Sequence, residues 1–280
     1  MPQFQKIAII GVGLIGASIG LAVRKRRLAA EVVGIGRRTS SLRKAKNVGA
    51  VDRTTTKLAS GVQDADLAIV CTPVGAIAEI VAQVAAAAPN CLITDAGSTK
   101  EQLVAEIESR ADTVIRFVGS HPLAGAECSG PEHGQADLFK NRTVVVTPTS
   151  RTALSDKETI TKFWKKLGAQ IVELTPAKHD EALAATSHLP HLAAAAIAAS
   201  TPERYLQLVA TGWADTTRIA AGDADLWRQI FFANRSHVLA AMDTFEGHWK
   251  AFRLAIELGD GDKLTTLLTE AKRIRDALGN

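Results

Sequence analysis

Lys6-Ile-Ala-Ile-Ile-Gly11-Val-Gly13-Leu14-Ile15-Gly16-Ala-Ser-Ile-Gly20 is the stretch that decides the fold. A short apolar, β-branched run reads as a buried strand, three glycines spaced Gly-x-Gly-x-x-Gly follow at once, and a helical pattern opens behind them. Each glycine has its own steric duty. The first makes the turn, the second lets a pyrophosphate approach the backbone, and the third lets helix pack closely on strand. The helix start presents unpaired N–H groups and the positive end of its dipole, so the three parts together form a dinucleotide site.

Outward from this unit, apolar runs alternate with helical patterns: Glu31–Ile35, Leu67–Val70, Cys91–Thr94, Val114–Val118 and Thr143–Val146. A helix around Ser155–Leu167, stopped by Gly168, and a strand at Gln170–Leu174 complete the series. Such alternation predicts an α/β, doubly wound parallel sheet of the Rossmann type over residues 1–175. From Pro176 onward no strand pattern appears, and Ala/Leu-rich helical segments punctuated by Pro190, Pro202, Gly222 and Gly259 predict an all-α domain over residues 176–280. Ile230, Val238, Ala241, Phe245, Trp249, Phe252 and Ile256 keep one helical face apolar. Continuous over about thirty residues, that helix would reach roughly 45 Å. This exceeds what a small domain needs, so a homodimer joined through the helical domain is expected.

Composition narrows the class. With 280 residues, 46% hydrophobic and 22% charged, the chain is long enough for two cores and has no disordered character. The net charge of +4 suits anionic small substrates and gives no ground for nucleic-acid binding. Arg24-Lys-Arg-Arg27 reads as the solvated end of a helix. Cys71, Cys91 and Cys128 match neither a metal-ligand spacing nor a disulfide framework, so no metal is expected and reduced thiols suit the cytoplasm. No signal peptide is legible, and Leu192–Ala199, the longest wholly apolar stretch, is too short to span a bilayer; no membrane role is expected.

The end of the second strand bears on the cofactor. NAD sites place an acidic residue there for the ribose hydroxyls. Here Gly36 stands in that place, followed by Arg37, Arg38, Thr39 and Ser40. Guanidinium groups and hydroxyls suit a 2'-phosphate, so NADP is expected, with NAD possible. Polar groups then gather where strands of an open sheet end, at Asp95-Ala-Gly-Ser98-Thr-Lys100 and at Gly119-Ser-His121-Pro122-Leu-Ala-Gly-Ala-Glu127. Oxidising an alcohol by hydride transfer requires a base for the hydroxyl proton. His121 is the candidate base, with Ser98 as its hydrogen-bond partner and Pro122 holding it extended.

Gly11–Gly20, Cys71-Thr72-Pro73, Asp95-Ala-Gly-Ser98, Ser120-His-Pro-Leu-Ala-Gly125, Thr186-Ser-His-Leu-Pro-His191 and Asp215-Thr-Thr-Arg-Ile219 occur in the order found in prephenate and arogenate dehydrogenases. The chain resembles that family along nearly its whole length. The resemblance implies a nucleotide-binding domain followed by a helical dimerisation domain. It also implies His121 as base, Ser98 in support, Arg218 on a substrate carboxylate and His191, rather than His188, on the substrate side. Gly11, Gly13, Leu14, Ile15, Gly16, Arg37, Arg38, Ser40 and Cys71-Thr72-Pro73 form the expected cofactor set. The implied reaction is oxidative decarboxylation of prephenate, or of arogenate, on the way to tyrosine. Trp227 either lines the same pocket from the helical domain of the partner subunit or is an ordinary core tryptophan. His191 favours the keto acid prephenate, whereas Glu127 would favour the amine of arogenate. Two rivals remain: a β-hydroxyacid dehydrogenase, whose proton-transferring lysine is missing from the matching segments, and a non-catalytic NADP-binding redox sensor.

Overall fold

The computed structural model describes residues 2–110, 115–125 and 129–279, and the chain forms two compact units, Met1–Asn234 and Arg235–Asn280. In the first, β1 (Phe4–Ile10), β2 (Ala29–Ile35), β3 (Arg53–Thr55), β4 (Leu67–Val70), β5 (Leu92–Asp95), β6 (Phe117–Pro122), β7 (Thr143–Thr147) and β8 (Gln170–Glu173) build one sheet in the order β3-β2-β1-β4-β5-β6-β7-β8. Helices α1 (Leu14–Lys25), α2 (Thr39–Asn47), α3 (Leu58–Val62), α4 (Ile77–Ala87), α5 (Glu101–Ser109) and α6 (Leu154–Lys166) connect its strands. Both sheet faces are covered, which is why the central strands are apolar without alternation. Ile7 and Ile9 of β1 enter a core with Val32, Leu67, Phe163 and Trp164, while Ala8 and Ile10 enter another with Val33, Val70, Ile77 and Ile93.

The sheet is parallel from β3 through β6 but not beyond: β7 runs antiparallel to β6, and β8 is parallel to β7. An antiparallel return needs no crossover helix. Residues 129–141 on this return instead tie back to α1, with Gln135 N donating to Ser18 Oγ at 3.0 Å and Asp137 taking Lys25 and Arg26. The basic end of α1 is thereby an anchor rather than only a solvated terminus. β3 has no counterpart in the sequence expectation, because three residues, Arg53-Thr-Thr55, leave too little apolar pattern at a sheet edge.

β6 begins later than expected and runs through the His-Pro motif, so His121 lies in a strand opposite Val145 rather than in a loop beyond it. β5 pairs with β6 only at Ile93↔Phe117 and Thr94↔Val118. Past that point β6 has no strand on this side, and Ser120 N finds the side chain of Asp95 instead, at 3.0 Å from Oδ1. This open stretch is the crevice at the carboxyl end of the strands.

The helical part of the first unit starts with α7 (Pro176–Leu183), capped by Thr175 Oγ1 accepting from Lys178 N at 3.2 Å and begun by Pro176. Pro190 does not end this helix. One π-helical turn, Ala184–His188, precedes α8 (Leu189–Ala199), and its wider winding accommodates the missing N–H and the ring of Pro190. Within the run Pro176–Ala199, an 18-residue stretch has a mean hydropathy of 1.3 and would match a bilayer span by length and composition alone. Its buried His179, Asp180 and His188 instead account for it as a helix packed on polar partners. α9 (Thr211–Thr217), a 3-10 turn at Arg218–Ala221 and α10 (Ala224–Ala233), capped by Asp223, complete the unit.

The single long helix expected from Ile230 onward is interrupted: α10 ends at Asn234, whose backbone leaves helical geometry at φ −118° and ψ 33°. In the second unit, α11 (Arg235–Glu257) and α12 (Gly261–Asp276) pack as a helical hairpin, with Asp260 Oδ1 accepting from Lys263 N to cap α12.

Candidate active site

The fingerprint has the geometry its spacing predicts. Gly11 adopts φ +94°, and a Cβ there would stand 2.6 Å from Cys71 O; a Cβ on Gly16 would strike Gly11 O. At Gly13 a Cβ would meet nothing within 4 Å. The space before α1 is therefore open, and the first turn of α1 carries neither an acidic side chain nor a side-chain cap. Its N–H groups are left for an anion, so the residues present fit a dinucleotide pyrophosphate. Leu14 and Ile15 open this helix. Arg37, Arg38, Thr39 and Ser40 are exposed at the start of α2, whose first turn also lacks an acidic residue. Cys71, Thr72 and Pro73 follow β4, and Thr72 Oγ1 is buried with no hydrogen-bond partner in the protein, as suits a hydroxyl awaiting a ligand. Burial, reinforced by the Asp95 carboxylate, pushes the Cys71 thiol up, so it stays protonated.

Ser98 lies half-buried in the loop between β5 and α5. That loop is stapled by Lys100, whose fully buried ammonium donates to Asp95 Oδ2 at 2.6 Å, Gly97 O at 2.7 Å and Thr99 O at 3.1 Å. Asp95 also accepts from Gly97 N and Ser120 N, which joins the Ser98 loop to β6. Ser120 faces the other side of the sheet and accepts from Trp164 Nε1 at 3.0 Å.

His121 keeps part of its surface accessible, and its Nδ1 lies 2.9 Å from Nε2 of His179, the rings meeting edge to face at 5.1 Å. His179 Nδ1 is in turn 2.7 Å from Asp180 Oδ1. Asp180 also takes Lys100 N at 2.8 Å and Glu101 N at 2.9 Å, capping α5 from a different part of the chain. Burial holds His121 well below the usual histidine range, and the positive potentials of His179, Lys100 and His188 add to this. His179 is lowered by burial against the opposing pull of Asp180. The base candidate is thus neutral at physiological pH, as a proton acceptor must be.

A second cluster continues from the first. Asn234 Nδ2 donates to Asp180 O at 2.8 Å and lies 3.1 Å from His188 Nδ1. A carbonyl can only accept, so the amide orientation is fixed and His188 Nδ1 is the acceptor of the second bond. Burial lowers His188 to about 4 and lowers His191 as well. His191 stacks on Trp227, centroids 3.6 Å apart and 17° from parallel, and its buried Nδ1 has no partner in the protein. Gly222, at the end of the turn that starts with Arg218, fits beneath this stack: a Cβ there would lie 2.6 Å from Trp227 Nε1. Arg218 itself is exposed on that turn.

The structure therefore brings His121 next to His179, and His191 next to Trp227, within one chain; the stack needs no second subunit. Glu127 and Cys128 lie outside the described residues. Sequence reading missed His179, Asp180, Lys100 and Asn234. The adjacent His-Asp pair just inside the capped start of α7 was the available signal. Among the described residues no group of histidine, cysteine and carboxylate side chains is arranged to hold a metal ion.

Comparison with known proteins places both parts of the chain. Residues 19–173 match the nucleotide-binding domain of prephenate dehydrogenase, and residues 175–270 match its dimerization domain. The cyclohexadienyl dehydrogenase of Zymomonas mobilis is 34% identical over 99% of this chain and 97% of its own. The prephenate dehydrogenase of Bacillus subtilis is 32% identical over 97% of this chain and 76% of its own. The crystal structure of A. aeolicus prephenate dehydrogenase with hydroxyphenyl propionate and NAD+ superimposes with a TM-score of 0.91 at 31% identity, covering 98% of each chain. On its sequence and its fold, the chain belongs to the prephenate dehydrogenase family.

Proposed function

We propose that this dehydrogenase converts prephenate to 4-hydroxyphenylpyruvate with NADP, and that His121 is its base. The observation that carries this is the setting of His121: one ring nitrogen is held by His179, burial keeps the ring neutral, and the other nitrogen is left for a substrate hydroxyl. The dinucleotide supplies the hydride acceptor. His121 takes the proton of the C4 hydroxyl as hydride leaves C4. The ring carboxylate departs as carbon dioxide and leaves its bonding electrons to complete the aromatic ring. Orientation supplies much of the rate in such a reaction. In this reading Ser98 supports the hydroxyl end, while Arg218 and the unpartnered Nδ1 of His191 serve the substrate carboxylates. Trp227 holds His191 in place by stacking. That the A. aeolicus relative binds a hydroxyphenyl acid favours a substrate of this shape.

NADP over NAD rests on Arg37, Arg38 and Ser40 beside the start of α2, with no carboxylate in its first turn. Residues 1–175 bind the dinucleotide, and 176–280 supply substrate contacts and the subunit interface. Exposed Phe245, Trp249, Ile256, Leu268 and Ile274 in the second unit give a homodimer its apolar face. The free thiols of Cys71 and Cys91 suit the cytoplasm.

The test is reduction of NADP or NAD followed at 340 nm with prephenate or arogenate. Prephenate with NADP is expected to give the highest kcat/KM, and His121→Asn to lower kcat by about a thousandfold. Faster turnover of arogenate would reassign the substrate, and full turnover by His121→Asn would remove the base. A monomer in light scattering at micromolar concentration would remove the dimer.

A further inference from the structure

We propose that Asp180 and His179 are positioning residues for this reaction: together they impose one tautomer on His121 and so make its outward nitrogen a proton acceptor. The proposal rests on the reading of His121 as the base. Asp180 is 1% exposed and fully engaged as an acceptor, taking Lys100 N, Glu101 N and His179 Nδ1. Two of those donors are backbone N–H groups that cannot reverse their role, so Oδ1 and Oδ2 are both fixed as acceptors. His179 must therefore carry its proton on Nδ1, which leaves Nε2 with a lone pair. The 2.9 Å contact between that Nε2 and His121 Nδ1 then requires the proton to sit on His121 Nδ1. The lone pair of His121 is thereby placed on Nε2. With the opposite tautomer His121 would present an N–H to the substrate hydroxyl and could not take its proton.

When the hydroxyl proton arrives at Nε2, His121 becomes an imidazolium with both nitrogens protonated. Its Nδ1–H stays bonded to His179, the His179 Nδ1–H stays bonded to Asp180, and no proton moves to the carboxylate. Asp180 offsets the new charge through the intervening ring. As carbon dioxide leaves and the ring becomes aromatic, the resulting phenolate oxygen takes this proton back from Nε2, so the product carries its hydroxyl and His121 is neutral again when product departs. Three elements meet here: α7 supplies His179 and Asp180, the loop before α5 brings Lys100, and the π-helical turn brings His188. The charged and titratable groups facing the two rings are Lys100, His188, Asp95 and Asp180.

Two experiments on the full chain test the relay. Nitrogen-15 NMR of the histidine-labelled wild-type enzyme at pH 7.5 is expected to show His121 and His179 both protonated at Nδ1; an Nε2–H tautomer at His121 overturns the proposal. In steady-state kinetics, His179→Phe keeps the ring volume but removes the acceptor, and is expected to lower kcat about a hundredfold with KM for prephenate within about threefold. His179→Gln, whose carbonyl can still accept from Nδ1–H, is expected to recover at least tenfold of that loss and to narrow the acid limb of the pH profile less. Thermal melting and NADP affinity check that both variants are folded. Folded Phe and Gln variants with equal kcat, or a Phe variant within threefold of wild type, overturn the proposal. His121→Asn separates the two readings. Full turnover there removes the base and the relay's purpose with it, whereas lost turnover there beside a reversed His121 tautomer removes the relay alone.

Discussion

Replacing Lys100 with methionine is the perturbation whose cost follows most directly from the geometry. Lys100 and Asp95 are both fully buried, 2.6 Å apart, and the ammonium spends its three protons on Asp95 Oδ2, Gly97 O and Thr99 O. Methionine fills much the same volume but leaves the carboxylate of Asp95 with only Gly97 N and Ser120 N as donors. Breaking a buried pair from one side costs about 3–5 kcal/mol, because the remaining charge stays out of water without compensation. At about 3 °C per kcal/mol for a unit of this size, the midpoint of thermal unfolding falls by roughly 9–15 °C. Calorimetry of Lys100→Met, Asp95→Asn and the double variant reads the coupling. The double variant should be more stable than the sum of the singles allows, by about 2–3 kcal/mol. Surface pairs lose their worth in salt and this one should not, so the loss is expected to be the same in 0.1 M and 1 M sodium chloride. Turnover should fall with stability, since Gly97 and Thr99 flank Ser98. A Lys100→Met protein within about 1 kcal/mol of wild type, or strictly additive single variants, would refute the reasoning.

Gly222→Ala places a methyl 2.6 Å from Trp227 Nε1 and 3.1 Å from His191 Cε1, so the stack must open. The expected cost is about 1–3 kcal/mol, read as a rise in KM for prephenate of about tenfold with KM for NADP unchanged. Arg37→Asp sets a carboxylate where a 2'-phosphate would lie, and is expected to lower kcat/KM for NADP by at least about tenfold while that for NAD holds or rises; an unchanged ratio would remove Arg37 from the site. Acid stability follows from His188, which is neutral in the folded protein down to about pH 4, whereas the unfolded chain takes the proton near 6.5. Its stabilisation is complete above pH 6.5 and is lost as pH falls from 6.5 to about 4, by roughly 3 kcal/mol in urea titrations, with His121, His179 and His191 acting in the same direction.

What was legible in the sequence follows from how local each signal is. Gly11, Gly13 and Gly16 could be read because turn, phosphate approach and packing are all decided within six residues. The change to helix after Thr175 was legible for the same reason, in Pro176 and the Ala-rich pattern that follows. β3 was not, since an edge strand of three residues has no period to detect. The direction of β7 was not either, because an apolar Val-Val-Val run suits both ladder types and only its connection chooses. Pro190 misleads for a physical reason: its ring forbids an ordinary α-turn, and the π-turn that rescues it leaves no mark of its own in the sequence. His121 and Ser98 stood out through their motifs. His179 and Asp180 did not, because 58 residues separate His121 from His179 and only the docking of α7 brings them together.

That docking explains why the first compact unit extends to Asn234 and does not stop where the sheet ends. Asp180 caps α5 with its carboxylate, holds His179 with the same oxygen that takes Lys100 N, and accepts Asn234 Nδ2 on its backbone carbonyl. The loop of Ser98, His121 on β6, the start of α7 and the end of α10 are thus joined through one buried residue. A sheet domain cut at residue 175 would retain the glycine turn and its open helix terminus, and with them a place for the dinucleotide. It would lose His179 and the cap of α5, and His121 would be left in either tautomer. In the proposed reading, cofactor binding and the activation of His121 therefore rest on different stretches of chain, and a fragment ending at 175 that bound NADP yet failed in turnover would separate them.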